Sequence, residues 1–262
     1  MSQPLVDWID GWVEHAKDAF VNWIEGWVQH AKEALPADYL KYVFVPLGTL
    51  AILSAFRSYQ TWMSLGPGGI PHNVFGWILS ELLLRPFSLW DVREIKDLRQ
   101  PGNGYLKAID DRTRDPPRVK GHAPNRQIND FSPRAIIAEM ESFILNKIPE
   151  KFPRRMHIDQ SYLGRVGNAL FVTNPVEHCK QYKGECAQIH STKDGSLHVV
   201  LHPLDAIKVM EGGWGERHPL AKGLFLPRSY ILLYGPQDNT EVETVKKIIR
   251  AAVSYVGGGL QV

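Results

Sequence analysis

The sequence has few cysteines, almost no net charge and none of the short motifs of several large enzyme classes. Cys179 and Cys186 are its two cysteines among 262 residues, and they lack zinc-finger spacing. A disulfide framework is therefore not expected, and a thiol-reducing compartment is the default. A net charge of +2 is too small to indicate a nucleic-acid partner. No Gly-x-Ser-x-Gly elbow, phosphate-binding Gly-Lys-Ser/Thr loop or dinucleotide fingerprint occurs, so these chemistries have no support.

The N-terminal arm, residues 1–38, lacks a cleavable signal peptide and instead contains a tandem repeat. Residues 7–17 recur as residues 22–32, an offset of 15 positions. On a helix this offset keeps both copies nearly in phase. One face of the predicted amphipathic helix carries Trp8, Trp12, Trp23 and Trp27. Such a face suits a membrane surface, a partner or self-association. Packing on the chain's own domain is the alternative. The arm's acidic residues give no attraction to anionic lipid.

Two apolar runs follow within residues 39–98. Residues 42–56 carry no charge and lie between Lys41 and Arg57. This run is shorter than the roughly 20 residues that span a bilayer as a helix, although the uncharged residues beyond Arg57 could extend it. The second run, residues 74–84, is interrupted by Glu81. We interpret the first run as a membrane anchor of undetermined orientation and the second as an interfacial helix; two buried core helices are the alternative.

The remaining chain predicts an irregular connector over residues 99–130 and an α+β domain over residues 131–262. Arg, Pro, Gly and Asn dominate the connector. In the domain, Ser132 is the expected N-cap of the first helix and Pro133 its first residue. The elements expected after that helix are strand 165–173, a hairpin over 187–202, helix 203–211, strand 228–234 and helix 240–256. This order favours a mostly antiparallel sheet.

The hairpin is part of a 41-residue window that holds five of the ten histidines, from His178 to His218. A three-residue loop, Lys193-Asp194-Gly195, would set His190 opposite His198, with His202 further along the same face. A two-residue loop would instead put His190 and His198 on opposite faces.

The block of residues 212–220, Gly-Gly-Trp-Gly-Glu-Arg-His-Pro-Leu, is expected to be a binding loop after helix 203–211. The alternative, without a binding role, is a helix C-cap with solvated charges. Three interpretations of the histidines stay open: a metal site of His190, His198 and His218 with Glu216, acid–base residues around a small organic substrate, and side chains that merely face solvent.

Several blocks resemble the fungal luciferases, in order, from about residue 57 to residue 256. They are Arg57–Trp62, Leu65–Pro67, Pro71–Ile78, Ile189-His190, Ser196–Leu201, Gly213–Ala221 and Leu233–Asp238. The resemblance implies a membrane-associated enzyme that adds oxygen to the hydroxypyrone 3-hydroxyhispidin without metal or flavin. A cyclic peroxide forms, loses carbon dioxide and leaves an excited product. We expect an endomembrane location with the catalytic domain in the cytosol. The Trp-rich arm is outside the resemblance.

With this chemistry in view, the sequence suggests roles for individual residues. His190 or His198 is the expected base, and His218 is expected to assist proton transfer. Arg217 would hold the enolate or peroxide oxygen, although a structural salt bridge with Glu216 is its alternative role. Three residues, Trp214, Glu216 and Tyr234, are the expected substrate contacts, with Trp214 stacked on the planar ring.

Two other classes of function stay open from the sequence. One is a membrane-associated lyase, isomerase or hydrolase of a polyketide-like ligand, without oxygen chemistry. The other is a non-catalytic ligand-binding domain.

Overall fold

The computed structural model describes residues 15, 18–19, 21–30, 37–224 and 226–262, and the chain divides into two compact units, Met1–Ser58 and Tyr59–Val262. In the first unit, residues 21–30 are helical (α1). Trp23 and Trp27 lie one turn apart with their rings 6.2 Å apart, and both are exposed. The described part of the second copy, residues 22–30, is therefore helical as predicted. Trp8 and Trp12 lie outside the described residues.

A long apolar helix, α2, spans Ala37–Ser64. Its stretch Lys41–Ser64 is long and apolar enough to cross a membrane, judged by length and composition alone. The predicted run 42–56 is thus one part of a longer helix. The described apolar side chains between Tyr42 and Phe56 are exposed, so this run does not form part of a buried core.

The second predicted apolar run is helical, in two forms. Helix α3 spans Val74–Ile78 and continues as a π-helix over Leu79–Leu84 and a 3₁₀ turn over Arg85–Phe87. Asn73 begins α3, because its side chain accepts hydrogen bonds from the backbone N–H groups of Phe75 and Gly76. A further 3₁₀ turn, Lys96–Leu98, precedes the connector.

The connector is irregular except for a small antiparallel pair, β1 (Val119–Lys120) and β2 (Arg126–Gln127). After it, α4 spans Arg134–Ser142 and continues as a π-helix over Phe143–Lys147 and an α-helical turn over Ile148–Lys151. Ser132 is not the N-cap that the sequence predicted. Pro133 holds that position, and the Ser132 hydroxyl makes no hydrogen bond within the described chain.

A six-stranded antiparallel sheet organises the second unit, and the predicted α+β class is confirmed. Its order is β3-β4-β5-β6-β8-β7. The strands are β3 (Met156–Gln160), β4 (Asn168–Val172), β5 (Glu185–Ile189), β6 (Leu197–Val200), β7 (Gly215–Arg217) and β8 (Tyr230–Leu233). A 3₁₀ helix, Glu177–Tyr182, links β4 to β5. Strands β3 and β7 were missed from the sequence: β3 is short, although Met156 and Ile158 alternate with His157 and Asp159, and β7 has no apolar residue that could alternate.

Two more helices complete the unit, α5 (Pro203–Glu211) and α6 (Asn239–Val256), close to their predicted bounds. The sheet and α6 share one hydrophobic core. Alternate strand residues such as Val199 and Ile231 belong to it together with Val245 and Ile248 of α6. The strand period of two sends the intervening residues, among them His190 and His198, to the other face of the sheet.

Candidate active site

The β5–β6 hairpin puts His190 and His198 on one face, but not directly opposite each other. In the observed register Gln188 pairs with His198, and the His190 amide donates to the Ser196 carbonyl. The loop therefore covers residues 191–195, and the predicted three-residue loop is wrong. Gly195 does adopt the expected left-handed conformation, with φ of 75°. The two rings are diagonal neighbours, with centroids 4.9 Å apart.

His202 does not join this pair, which corrects the third histidine predicted for the face. Strand β6 ends at Val200, and His202 becomes the N-cap of α5, where its ring accepts a hydrogen bond from the Leu204 amide at 3.3 Å. The ring packs edge-on against Tyr105 and Tyr255. Its role is therefore local to the start of the helix.

His218 comes to the histidine face from the end of β7. Its backbone N–H donates to the Tyr230 carbonyl on β8, so the chain continues the strand pairing one residue beyond Arg217. The His218 and His198 rings lie 5.3 Å apart. Tyr230 stacks nearly parallel on His198, with centroids 4.9 Å apart and planes at 15°. Strands β6 and β8 and the ends of β5 and β7 thus supply one cluster, which we call the histidine cluster: His190, His198, His218 and Tyr230.

A loop of the connector, residues 121–126, brings a cation to the histidine cluster. Arg126 Nη1 donates a hydrogen bond to His190 Nε2, and Arg126 Nη2 donates to the Pro67 carbonyl at 3.0 Å. The loop is also attached to the last turns of α2, because Trp62 Nε1 donates to the Ala123 carbonyl at 2.9 Å. Burial lowers the pKa of Arg126 but leaves a guanidinium that stays protonated at physiological pH.

A buried polar chain fixes the protonation of His190. Because the arginine is a donor, Nε2 must be the acceptor and the ring proton must reside on Nδ1. Nδ1–H then donates to the Ser196 hydroxyl at 2.9 Å, and that hydroxyl donates to Asp194 Oδ1 at 2.5 Å. His190 is therefore fully engaged at both nitrogens and holds Arg126 in place.

The other two histidines have complementary tautomers. His218 Nδ1 accepts from the Leu220 amide at 3.1 Å, so its proton is on Nε2. His198 makes a hydrogen bond with the Asn125 backbone, and its Nδ1 has no partner among the described residues. The Asn125 bond therefore belongs to Nε2–H, and Nδ1 presents a free lone pair. His198 can accept a proton while His218 can donate one.

All three imidazoles are held neutral by their surroundings. Burial lowers the pKa of His190 to about 4 and that of His218 to about 3, with positive neighbours acting in the same direction. For His198, burial and the nearby His190 ring lower the pKa well below its usual value. Removal from water penalises the charged form of each ring, and Arg126 adds repulsion.

Four buried polar atoms around the cluster have no partner in the described part of the chain. They are His122 Nδ1, Asn125 Oδ1, His198 Nδ1 and Tyr230 Oη. Buried polar groups are nearly always hydrogen-bonded, and an orphan costs roughly 1–3 kcal/mol. Four of them beside the half-buried guanidinium of Arg126 indicate a place that takes a polar ligand.

The sequence-predicted Arg217 lies on the opposite face of the sheet, as strand alternation requires. Its side chain is fully buried and makes a double salt bridge with Asp97, at 2.6 and 2.9 Å. It also donates to the carbonyls of Arg228, Glu94 and Ala221. A salt bridge was the predicted alternative for Arg217, although with Glu216 as its partner. The observed partner is Asp97, and the arginine attaches the 94–97 segment to the sheet.

The three predicted substrate contacts are not part of the histidine cluster. Trp214 packs in the hydrophobic core, and its Nε1 donates to the Asp110 carbonyl at 2.8 Å. Glu216 shares the histidine face by register, and it accepts a hydrogen bond from the Tyr234 hydroxyl at 3.1 Å. Burial raises the pKa of both Glu216 and Tyr234.

The metal interpretation has no geometric basis in the described chain. His190 Nε2 faces a guanidinium, and Glu216 bonds to Tyr234. No group of three or more His, Cys, Asp or Glu side chains is placed to hold a metal ion within the described ranges.

An open groove of about 480 Å³ lies at the far edge of the sheet, around β3. Its walls include His157, Tyr162, Arg165 and Lys183, and none of its lining residues belongs to the histidine cluster. The groove is wide and mostly polar, so the buried cluster remains the better candidate for chemistry.

Comparison with known proteins agrees with the resemblance in the sequence. Residues 183–252, which include β5, β6, β7, β8 and most of α6, match the family model described as Luciferase domain. A luciferase of Armillaria gallica is 26% identical over 222 residues, covering 79% of this chain and 84% of the relative. A luciferase of Neonothopanus nambi is 27% identical over 224 residues, covering 76% and 80%. The chain therefore contains a Luciferase domain and is similar to fungal luciferases over about three quarters of its length. No solved structure matches it.

Four parts of the site were not predicted from the sequence: Arg126, Tyr230, Ser196 and Asp194. Arg126 lies in the connector, where no periodic pattern places it. Tyr230 lies in a predicted strand, but the face of the sheet that its side chain occupies was not predicted. The signal that could have found Ser196 is its spacing of two from His198, which puts both on one face.

The buried neutral histidines predict that the protein loses stability in acid. Their folded pKa values lie below the unfolded value of about 6.5, so the unfolded chain binds more protons as pH falls. Stability is fully present above pH 6.5 and falls as pH drops toward 4. The slope approaches about 1.4 kcal/mol per pH unit for each histidine.

Urea unfolding at pH 7, 6 and 5 measures this slope. His198→Gln, whose side chain does not titrate, is expected to remove about a third of the slope. An unfolding free energy that stays constant over this range would contradict the neutral state of the cluster.

Proposed function

We propose that this protein is a cofactor-independent oxygenase of a hydroxylated pyrone or related polyketide, with luciferase-like chemistry. The observation that carries the proposal is one buried cluster holding a free acceptor, His198 Nδ1, a free donor, Tyr230 Oη, and a cation, Arg126. The match of residues 183–252 to the Luciferase domain and the similarity to fungal luciferases support it. Molecular oxygen is the co-substrate.

The first step is the loss of the enol proton to His198 Nδ1. The resulting enolate lies beside Arg126, Tyr230 Oη–H and the Nε2–H of His218, which are the donors that an oxyanion needs. Such an enolate is electron-rich enough to pass one electron to O₂, and the two radicals then combine to form the carbon–oxygen bond. The peroxide attacks the lactone carbonyl and expels the ring oxygen as an enolate, which takes up the proton held by His198. The resulting four-membered cyclic peroxide breaks its O–O bond and the C–C bond between its two carbons, which releases carbon dioxide and leaves a carbonyl product.

A pKa well below 6.5 has two effects on His198. It keeps the ring unprotonated and ready to accept, but it also weakens the ring as a base. The enolate that forms beside the imidazolium offsets this, because the pair of opposite charges is favourable in a site of low polarity. Arg126, held by His190, contributes to the same balance by stabilising the anion.

Oxygen uptake with 3-hydroxyhispidin and simpler 3-hydroxypyrones, with light recorded alongside, tests the proposal. Stoichiometric uptake of O₂ with release of carbon dioxide supports it, with or without light. Deuterium exchange or ring opening of the pyrone without O₂ uptake would instead establish the lyase, isomerase or hydrolase alternative. Tight binding with neither reaction would establish a ligand-binding domain. Full turnover in a triple variant of His190, His198 and His218 to Ala would overturn the site.

Arg126→Met is expected to lower kcat about 100-fold or more, because the developing enolate loses its cation. Arg126→Lys should restore part of the rate, since it keeps the charge without the two-pronged hydrogen bonding. The exposed Arg165→Met serves as the control and should change kcat less than 2-fold. A kcat unchanged in Arg126→Met, with only KM raised, would show that Arg126 binds substrate without stabilising the transition state.

Attachment to an endomembrane, with the catalytic unit in the cytosol, belongs to the same proposal. Its support is the apolar helix α2, whose stretch Lys41–Ser64 has the length and composition of a span. Self-association through the Trp-rich arm is the further proposed contact, supported by the exposed Trp23 and Trp27. Membrane fractionation of tagged full-length chain tests the location.

A further inference from the structure

An exposed apolar face covers the segment 74–90, in the same unit as the histidine cluster. The outer residues are Val74, Phe75, Ile78, Leu82 and Trp90, with exposed fractions of 45%, 74%, 39%, 67% and 104%. The first four lie on one side of the helical stretch, at positions i, i+1, i+4 and i+8. Trp90 is as exposed as a side chain can be. Contiguous patches of this kind mark interaction sites.

The opposite side of the segment is firmly attached to the catalytic unit. Gly76 and Ser80 are buried. The Leu89 amide donates to the Pro219 carbonyl at 2.8 Å, and the Arg217 amide donates to the Val92 carbonyl at 3.0 Å. The apolar face is therefore held outward by the fold, and it is not the loose end of a flexible loop.

Charge and chain position identify the occupant as a bilayer. Residues 74–90 contain one acid and one base, Glu81 and Arg85, and these pair at 3.0 Å. A face of Phe, Leu, Ile and Trp without net charge suits the region between headgroups and acyl chains. Nine residues, 65–73, separate this face from the end of the apolar helix α2. Nine residues reach at most about 30 Å.

We propose that the face formed by Val74, Phe75, Ile78, Leu82 and Trp90 docks on the surface of a lipid bilayer. It is a second contact, separate from any span by α2, and it belongs to the catalytic unit itself. The docking is apolar, so it works on uncharged phosphatidylcholine and is insensitive to salt. It does not depend on the reaction proposed for the histidine cluster.

Docking of this face would bring the cluster close to the lipid. Leu89 is one hydrogen bond from Pro219, the residue after His218. An apolar planar substrate dissolved in the bilayer would then approach the His218 side of the cluster without crossing bulk water.

The test uses the full chain with a single introduced cysteine carrying an environment-sensitive dye. The native Cys179 and Cys186 are fully buried, so Leu82→Cys is labelled selectively. The control is Tyr162→Cys, an exposed position in the groove at the far edge of the sheet. Phosphatidylcholine vesicles at low and high salt are the probe. Both labelled proteins carry the same α2 helix, so recruitment by that helix is matched.

The expected result is a blue shift of the dye at position 82 upon vesicle addition, equal at both salt concentrations, with little change at position 162. Phe75→Glu with Trp90→Glu should abolish the shift at 82. Equal shifts at both positions, or no shift at either, would overturn the proposal. Emission at position 82 that is already blue-shifted relative to position 162 before vesicles are added would also overturn the proposal. If that shift grew with protein concentration, a second copy of the chain would cover the face. If it did not change with concentration, the chain's own N-terminal arm would cover it.

Discussion

Replacing His198 by Gln lowers kcat by about 10²–10⁴-fold and leaves KM within about 3-fold, if the ring is the base that we propose. Glutamine can keep the bond that Nε2–H makes with the Asn125 backbone, but it offers no proton-accepting nitrogen at the Nδ1 position. Oxygen uptake at saturating hydroxypyrone measures the loss.

Two comparisons separate chemistry from packing in this variant. Added imidazole should restore part of the rate in His198→Ala, because a small base can enter the space that the ring leaves. The exposed His157→Gln on β3 should retain the original kcat. Loss of rate in His198→Gln together with a lower melting temperature and no rescue in His198→Ala would point to a structural role.

Arg217→Met is expected to have the largest effect on stability, a loss of about 3–5 kcal/mol of unfolding free energy. The substitution removes a double salt bridge with Asp97 and leaves the carbonyls of Glu94, Ala221 and Arg228 without their donor. In a unit of this size that corresponds to a fall of about 10 °C in melting temperature. Circular dichroism on heating measures it.

Arg217 and Arg126 make a useful pair for this test, since Arg217 is buried and Arg126 half-buried, and only Arg126 adjoins the histidine cluster. Arg126→Met should mainly lower turnover, whereas Arg217→Met should mainly lower stability and keep residual turnover below the melting transition. A normal melting temperature in Arg217→Met with abolished turnover would restore the catalytic role that the sequence suggested for it.

The sequence predicted the shared face of His190 and His198 but not their register. Across a hairpin, two residues an even number of positions apart lie on the same face of the sheet when the loop has an odd number of residues. The predicted loop, residues 193–195, and the observed loop, residues 191–195, both meet this condition. The exact pairing depends on how residues 191–195 fold, which Asp194 decides through its bonds to the Ser196 amide and hydroxyl. The predicted pairing assumed that only residues 193–195 form the loop.

Residues 214–218 were all assigned to one site because a loop was predicted there. A loop could bring Arg217 and His218 to one place, and no sequence pattern separates the two residues. Strand β7 is three residues long and begins with glycine, so it carries no propensity signal. Once paired with β8, its alternation sends Arg217 to Asp97 and His218 to His198.

Arg126 could not be predicted, because its place depends on contacts between segments distant in sequence. Its loop is attached to the end of α2 through Trp62, and its guanidinium reaches a strand 64 positions away. From their composition, residues 99–130 were predicted only to form an irregular connector. Such non-local packing becomes visible only when the fold is known.

The buried, uncharged state of the three imidazoles has a consequence for kinetics. Because burial keeps them neutral near physiological pH, the three imidazoles themselves contribute no inflection to the rate profile there. An inflection that persists in variants of the other titratable groups therefore reports the acid dissociation of the pyrone's own hydroxyl group. Its midpoint should therefore move when the ring substituents of the substrate are changed, and stay fixed when residues remote from the cluster are changed.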